Sequence, residues 1–132
     1  MRVLLVDDHK EVLAALRVAL EHHFPGWTFV EIGSLSALIA EIGQARCNLL
    51  ILDWGMCGVA EKGSLPQQLW QTILAAIHHA APDLGILVLD STPDTSDLAI
   101  AAGAQAFVCK TDPPETLFLA LRRLADRPTT LF

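Results

Sequence analysis

Short apolar runs alternate with longer amphipathic segments along this chain of 132 residues. Runs such as Val3–Val6 and Leu49–Leu52 are apolar at every position, which is typical of strands buried on both faces of a parallel sheet. The segments between the runs repeat apolar residues every three or four positions, as helices that pack one face on a sheet do. The predicted strands cover residues 2–6, 27–32, 48–52, 85–89 and 104–109.

Turn and capping residues mark the ends of the first three predicted helices. Pro25-Gly26 stops the first helix, and Ser34 offers an N-cap for the second, which Gly43 would end. The glycine-rich segment from residue 54 to residue 65 has no sustained period and is predicted to be a loop. The third helix is expected to start near Pro66 because proline suits a first helical turn.

The last two predicted helices follow the same logic. A short helix over about residues 95–102 would end at Gly103, a good C-terminal cap. Asp112 would cap the final helix, with two prolines in its first turn and Glu115 placed for a capping box.

Five strand–helix units in succession predict an α/β fold with right-handed crossovers and helices on both faces of a parallel sheet. Five strands suit a flavodoxin-like (βα)5 doubly wound parallel sheet with strand order 2-1-3-4-5. In that order the first and third strands are neighbours, and ligands bind at the switch point between their carboxyl ends.

Composition narrows the class of protein. An apolar fraction of 52% excludes disorder, and a net charge of −6 argues against a nucleic-acid contact surface. The three cysteines form no C-x-x-C pair, and no apolar stretch reaches membrane-spanning length, so we expect a soluble cytoplasmic domain. Residues 1–126 would form this domain, and residues 127–132 a C-terminal tail or the start of a linker.

Acidic residues end two of the predicted neighbouring strands. Asp7 and Asp8 follow the first strand, and Asp53 ends the third. Three carboxylates at one edge are costly without a positive charge, and they could hold Mg²⁺, which prefers oxygen ligands. Lys110 would reach the same edge from the fifth strand. A carboxylate acceptor, a metal and a lysine are the parts that phosphoryl transfer to Asp53 needs.

These motifs resemble the response-regulator receiver domains of two-component signalling, which are CheY-like, and in particular the NarL/LuxR-type subgroup. The resemblance covers nearly the whole chain. Asp53 follows Asp8 at the separation usual for the phosphoacceptor and the acidic pair of the family. The other matching stretches are Met1–His9, Gly103-Ala104, Phe107 and Lys110–Glu115.

The resemblance implies that Asp53 accepts a phosphoryl group from the phosphohistidine of a sensor histidine kinase. Asp8, with Asp7 helping, would bind Mg²⁺ together with Asp53 and the backbone carbonyl of Gly55. Lys110 would contact the phosphoryl group. A receiver is a phosphoprotein rather than an enzyme, and it commonly serves transcription regulation.

The switch residues of the family match less well. Phe107 occupies the position of the switch aromatic, but Asp90 stands where the family normally has Thr or Ser. An additional carboxylate would repel an aspartyl phosphate unless Asp90 turns outward and Ser91 or Thr92 substitutes for the hydroxyl.

Simpler interpretations stay open for several residues. Asp7 could be only a helix N-cap, and His9 is expected to be a turn residue rather than a ligand. Phe107 could be ordinary core, and Trp54 could either shield the site or cover the edge of the sheet.

The leading hypothesis is a phosphorylatable receiver that changes the contacts of its fourth helix, fifth strand and last helix with a partner or a second copy. A second hypothesis is an atypical receiver that binds partners without phosphorylation. A third is a haloacid-dehalogenase-like phosphatase, which would need a second aspartate where Gly55 stands.

Overall fold

The computed structural model describes residues 1–54, 67–91 and 93–127. The strands are β1 (Arg2–Val6), β2 (Thr28–Ile32), β3 (Leu49–Asp53), β4 (Gly85–Asp90) and β5 (Ala106–Cys109). The helices are α1 (Lys10–His23), α2 (Leu35–Gln44), α3 (Gln67–Ala80), α4 (Ser96–Ala102) and α5 (Pro114–Asp126). A 3-10 turn over Pro93–Thr95 leads into α4.

The five strands form one parallel sheet in the order β2-β1-β3-β4-β5, which confirms the predicted topology. Strand β1 pairs with β3 so that Val3 lies opposite Leu49 and Val6 opposite Leu52. The carboxyl ends of these two strands therefore lie at the same level of one sheet edge, where the predicted acidic residues follow.

Two apolar layers cover the sheet, because alternate side chains of a buried strand point to opposite faces. All five residues of β3 are buried: Leu50 and Leu52 belong to one layer, and Leu49 and Ile51 to the other. The first layer is completed by α2, α3 and α4 through Leu38, Ile42, Trp70, Leu74, Ile77, Ala99 and Ala102. The second is completed by α1 and α5 through Leu13, Leu20, Leu117, Leu121 and Leu124.

Two of the predicted helix ends are confirmed by their hydrogen bonds and dihedral angles. The Ser34 hydroxyl accepts a hydrogen bond from the Ala37 N–H at 3.1 Å and so caps α2. Gly103 ends α4 with φ of 122°, a conformation that side chains with a Cβ rarely adopt.

Several predicted boundaries are wrong by one or two residues. Helix α2 continues through Gly43 to Gln44, because glycine is tolerated inside a helix whose apolar face is packed. Strand β5 begins at Ala106 rather than Ala104, whose N–H is engaged by the Ala99 carbonyl at the end of α4. Strand β3 starts and ends one residue later than predicted. The predicted helix start near Pro66 and the predicted loop after residue 54 lie outside the described residues.

The predicted cap of α5 is also wrong. Asp112 does not cap the helix; its Oδ2 accepts a hydrogen bond from the backbone N–H of Cys109 at 3.2 Å. Pro113 holds the N-cap position, and within the described residues no side chain, including that of Glu115, makes a capping hydrogen bond there. Asp112 therefore closes the turn between β5 and α5.

Candidate functional site

Two acidic strand ends lie side by side at the carboxyl edge of the sheet. Asp53 ends β3, and Asp7 follows β1 directly, with its N–H donating to the Ile32 carbonyl at 3.1 Å. Both residues are buried, with exposed fractions of 5% for Asp7 and 4% for Asp53. One potential ligand atom from each of four side chains lies within 4.8 Å of the others: Asp7, Asp8, His9 and Asp53.

Lys110 brings the positive charge that the sequence predicts at this edge. Its Nζ lies 2.9 Å from Oδ1 of Asp53, and about a third of its side chain is exposed. Its backbone N–H donates to the Asp90 carbonyl at 2.7 Å, which ties the residue to the end of β4. The ammonium group therefore reaches Asp53 from a backbone position that the sheet holds in place.

The two buried carboxyl groups differ in their tendency to ionise. Burial raises the pKa of Asp53, and the charge of Asp7 adds to that effect, although the hydrogen bond from Lys110 opposes it. Burial acts on Asp7 in the same sense, but hydrogen bonds from His9 and the charge of Lys110 hold the pKa of Asp7 below its usual value. Without a metal, Asp53 is thus the easier of the two to protonate.

His9, which the sequence predicts to be a turn residue, lies between β1 and α1 and contacts both aspartates of the acidic pair. Its Nδ1 lies 3.0 Å from Oδ1 of Asp7 and 2.9 Å from Oδ1 of Asp8, and its backbone N–H donates to Asp7 at 3.1 Å. The hydrogen bond to Asp7 and the charges of Asp8 and Asp7 raise the pKa of the imidazole. A histidine directly after an acidic pair was the signal in the sequence.

The donor set fits Mg²⁺. Asp7, Asp8 and Asp53 offer carboxylate oxygens, which are the ligands that Mg²⁺ prefers, and their clustering leaves room for water ligands from the exposed side of Asp8. Three carboxyl groups outnumber the Lys110 ammonium and the His9 imidazole that contact them, so an added cation improves the charge balance. The predicted fourth contact, the backbone carbonyl of Gly55, lies outside the described residues.

An apolar cavity of about 300 Å³ lies behind Asp53, between α1 and α5. Asp53 and Lys110 line it together with apolar side chains of both helices and the sheet, among them Leu16, Ile51 and Leu117. The apolar neighbours offer little solvation to a charge, and this burial is the largest cause of the raised pKa of Asp53.

Asp90, the predicted switch residue, points toward the residues that lead into α4. Its Oδ1 accepts a hydrogen bond from the N–H of Ser91 at 2.8 Å, and its Oδ2 accepts one from the hydroxyl of Thr95 at 2.7 Å. Ser91 is exposed, and its carbonyl accepts a hydrogen bond from the thiol of Cys109 at 3.5 Å. Thr92 lies outside the described residues.

The two aromatic residues near the site lie in or against the core. Phe107 is partly buried and packs against the layer that α2, α3 and α4 form. Trp54 is 3% exposed and stacks on Trp70 of α3 with ring centroids 4.5 Å apart. Of the two roles open to Trp54, the structure therefore supports covering of the sheet rather than shielding of Asp53.

No protein-family model and no curated protein matches the sequence. Solved structures do match. The isolated receiver domain of RcsB from Salmonella enterica serovar Typhimurium, determined with the phosphomimetic BeF3−, gives a TM-score of 0.78 at 26% identity. That match covers 98% of this chain and 91% of the RcsB domain.

RcsB from the same organism, bound to promoter rprA in the presence of BeF3−, gives a TM-score of 0.77 at 26% identity. This match covers 98% of the chain but only 62% of the longer RcsB chain. The response regulator TrrA from Thermotoga maritima, in complex with Mg²⁺ and BeF, gives 0.73 at 22% identity over 93% of this chain and 97% of that one. The structural neighbours are thus response-regulator receiver domains, and this chain has their fold.

No helix within the described residues combines the length and apolar character that crossing a membrane requires.

Proposed function

We propose that this chain is a response-regulator receiver that accepts a phosphoryl group on Asp53 from the phosphohistidine of a sensor histidine kinase. The observation that carries the proposal is the contact of 2.9 Å between Lys110 Nζ and Asp53 Oδ1 beside the acidic cluster of Asp7 and Asp8. The likeness to RcsB and TrrA, both determined with fluoroberyllate mimics of a phosphoryl group, supports it. The motifs of residues 1–9 and 110–115 favour the NarL/LuxR-type subgroup.

In the proposed reaction a carboxylate oxygen of Asp53 attacks the phosphorus of the phosphohistidine. The P–N bond breaks with its electron pair going to the imidazole nitrogen, and the new P–O bond makes an acyl phosphate on Asp53. Lys110 holds one oxygen of the incoming group by charge and hydrogen bonding. Burial raises the pKa of Asp53, and the hydrogen bond and charge of Lys110 oppose that effect, so Lys110 favours the ionised carboxylate that attacks.

Asp7, Asp8, Asp53 and the carbonyl of Gly55 would hold Mg²⁺. When bound, the ion neutralises negative charge that accumulates between the acidic residues and the phosphoryl oxygens. Asp7, with its lowered pKa, is ready to coordinate a cation at neutral pH.

Phosphorylation is proposed to change contacts with a partner or with a second copy of the chain, in the cytoplasm. The domain itself would act on no substrate and would not bind nucleic acid, consistent with its net charge of −6. The RcsB chain that binds promoter rprA is longer, and this chain spans 62% of it. Transcription regulation is therefore proposed for this chain and not inferred from that complex.

The test is phosphorylation by acetyl phosphate with Mg²⁺, followed by intact mass spectrometry. We expect wild type to gain the mass of one phosphoryl group and Asp53→Asn to gain none. Failure of wild type to gain mass with acetyl phosphate, and to bind BeF3− by ¹⁹F NMR, would contradict the proposal, as would equal labelling of Asp53→Asn.

A second candidate is an atypical receiver that serves as a protein-interaction module independent of phosphorylation. The position of Asp90 favours it, because a carboxylate replaces the hydroxyl of the family and both its oxygens are engaged by Ser91 and Thr95. Sedimentation velocity distinguishes these two candidate functions where the contact that changes is self-association. An unchanged sedimentation coefficient on adding BeF3− and Mg²⁺, with full occupancy by ¹⁹F NMR, would favour the module.

A further inference from the structure

The junction between β4 and α4 is joined by one carboxylate. Asp90 ends β4, and its two oxygens accept hydrogen bonds from the Ser91 N–H and the Thr95 hydroxyl at 2.8 and 2.7 Å. Thr95 is the N-cap residue of α4 and the last residue of the 3-10 turn before it. The Asp90 and Thr95 side chains therefore link the end of a strand to the start of a helix.

The carboxylate of Asp90 belongs to the face of the sheet opposite the cavity behind Asp53. Successive strand residues point to opposite faces. Leu89 lies opposite Asp53 in the sheet register and lines the same cavity, on the α1 and α5 side. Asp90, the next residue, is directed to the other side, where α4 packs.

Helix α4 is short, and the side chains that it buries are small. The helix has seven residues, and its buried side chains are those of Ala99 and Ala102. Its larger apolar residues, Leu98 and Ile100, are about half exposed. Ala99 and Ala102 pack α4 against the first apolar layer, and the hydrogen bond between Asp90 and Thr95 adds a polar link between the helix start and the sheet.

A phosphoryl group on Asp53 is not expected to break the hydrogen bond between Asp90 and Thr95. The group adds negative charge, which repels a carboxylate, and an ionised carboxylate cannot donate a hydrogen bond to a phosphoryl oxygen as a hydroxyl can. The Thr95 hydroxyl, by contrast, remains a donor that suits Asp90 in both states of the site.

We propose that Asp90 and Thr95 form a latch that keeps the first turn of α4 in one position whether or not Asp53 carries a phosphoryl group. The part of this inference that concerns the modified state rests on the proposed function. The leading hypothesis from the sequence names the fourth helix, the fifth strand and the last helix as the surface that responds to phosphorylation. The latch restricts that response to β5 and α5, which Lys110 connects to Asp53, while the position of α4 does not change.

Hydrogen–deuterium exchange of the amides of α4 tests the latch in the unmodified protein. The informative variant is Thr95→Val, which keeps the shape of the side chain and removes the donor. Its matched control is Thr28→Val, an exposed threonine on β2 at the far edge of the sheet. We expect the exchange rate of residues 96–102 to rise about tenfold in Thr95→Val, because the variant loses one hydrogen bond to a charged acceptor. In the control, the exchange rate of these residues should equal that of wild type.

The same measurement with BeF3− and Mg²⁺ tests the modified state. In wild type we expect the exchange of α4 to stay within about twofold of its unmodified rate, while Asp90→Thr, which restores a hydroxyl, should make α4 respond. A severalfold change of α4 in wild type, or an equal response of Thr95→Val and Thr28→Val, would overturn the latch.

Failure of the latch and failure of the proposed function are distinguishable. If ¹⁹F NMR shows no bound BeF3− in wild type, the phosphoacceptor proposal fails, and the exchange of unmodified Thr95→Val still decides whether Asp90 holds α4. If BeF3− binds and Thr95→Val exchanges like its control, the latch fails while the acceptor proposal stands.

Discussion

Asp53 and Asp90 are both aspartates at the carboxyl end of a buried strand, yet the structure gives them opposite surroundings. Asp53 is buried and contacts the Lys110 ammonium, with an apolar cavity behind it and two further acids beside it. Asp90 is half-buried, and its carboxylate accepts hydrogen bonds from two neutral donors, the Ser91 N–H and the Thr95 hydroxyl. The same residue type therefore has the proposed role of a reactive group in one place and that of a structural acceptor in the other, because its neighbours differ.

The largest expected effect is on phosphoryl uptake and comes from substitution of Asp53. Asp53→Asn should abolish phosphoryl uptake, because an amide is not a nucleophile toward phosphorus. Asp90→Asn should keep uptake within about threefold of wild type, because its side chain points away from the site and the amide oxygen can still accept from Thr95. Intact mass after treatment with acetyl phosphate measures both, and loss of uptake in Asp90→Asn would place Asp90 in the acceptor site.

Removal of the ammonium group should slow the reaction without abolishing it. We expect Lys110→Ala to lower the rate of uptake on the order of 100-fold, as loss of a positioned electrostatic group does elsewhere. In EDTA the variant should also unfold about 1–2 kcal/mol more easily in urea, because Asp53 loses its charged partner. Lys10→Ala, at an exposed lysine on α1, is the control and should match wild type in both assays.

Substitution of Gly85, at the end of β4 opposite to Asp90, should lower the stability of the fold without changing phosphoryl uptake. A Cβ at Gly85 would lie 2.9 Å from Cδ2 of Leu49, so Gly85→Ala must displace the buried Leu49 side chain, and 3.2 Å from Nη2 of Arg127, which must also shift slightly. We expect a loss of about 1–3 kcal/mol in the free energy of unfolding, measured in urea, with phosphoryl uptake at the wild-type rate. Reduced uptake by the folded variant would show that the two ends of β4 are coupled.

The smallest predicted effect concerns His9 and pH. The pKa of His9 is raised in the folded protein, so the stability it contributes is complete below its ordinary pKa of about 6.5 and is lost as pH rises through the raised value. In EDTA, the free energy of unfolding of wild type relative to His9→Asn should therefore be more favourable at about pH 6 than at about pH 9. Chemical denaturation at both values measures the difference.

Saturating Mg²⁺ supplies the control for that measurement. The ion would occupy the acidic residues that attract the imidazolium, so the pH-dependent difference between wild type and His9→Asn should shrink. An equal difference at all pH values, with or without Mg²⁺, would mean that His9 acts through packing and not through charge.

Most of the fold was predictable because its determinants are local. The apolar runs that became β1, β3 and β4 read as buried strands, and Ser34 and Gly103 act as helix ends in the structure as they do in the sequence. Asp112 was not predictable in this way. A cap requires the chain to pass close to the first helical N–H groups, and the turn after β5 brings Asp112 nearer to the N–H of Cys109.

The sequence by itself determined the strand–helix alternation and the placement of Asp7, Asp8, Asp53 and Lys110 at strand ends. Both follow from periodicity and from the common direction of parallel strands. Only the tertiary structure decided that His9 bridges Asp7 and Asp8, that Trp54 stacks on Trp70, and that Asp90 holds Thr95. Those outcomes depend on which donor or ring lies within reach of each side chain in three dimensions, and the spacing of residues along the chain does not contain that information.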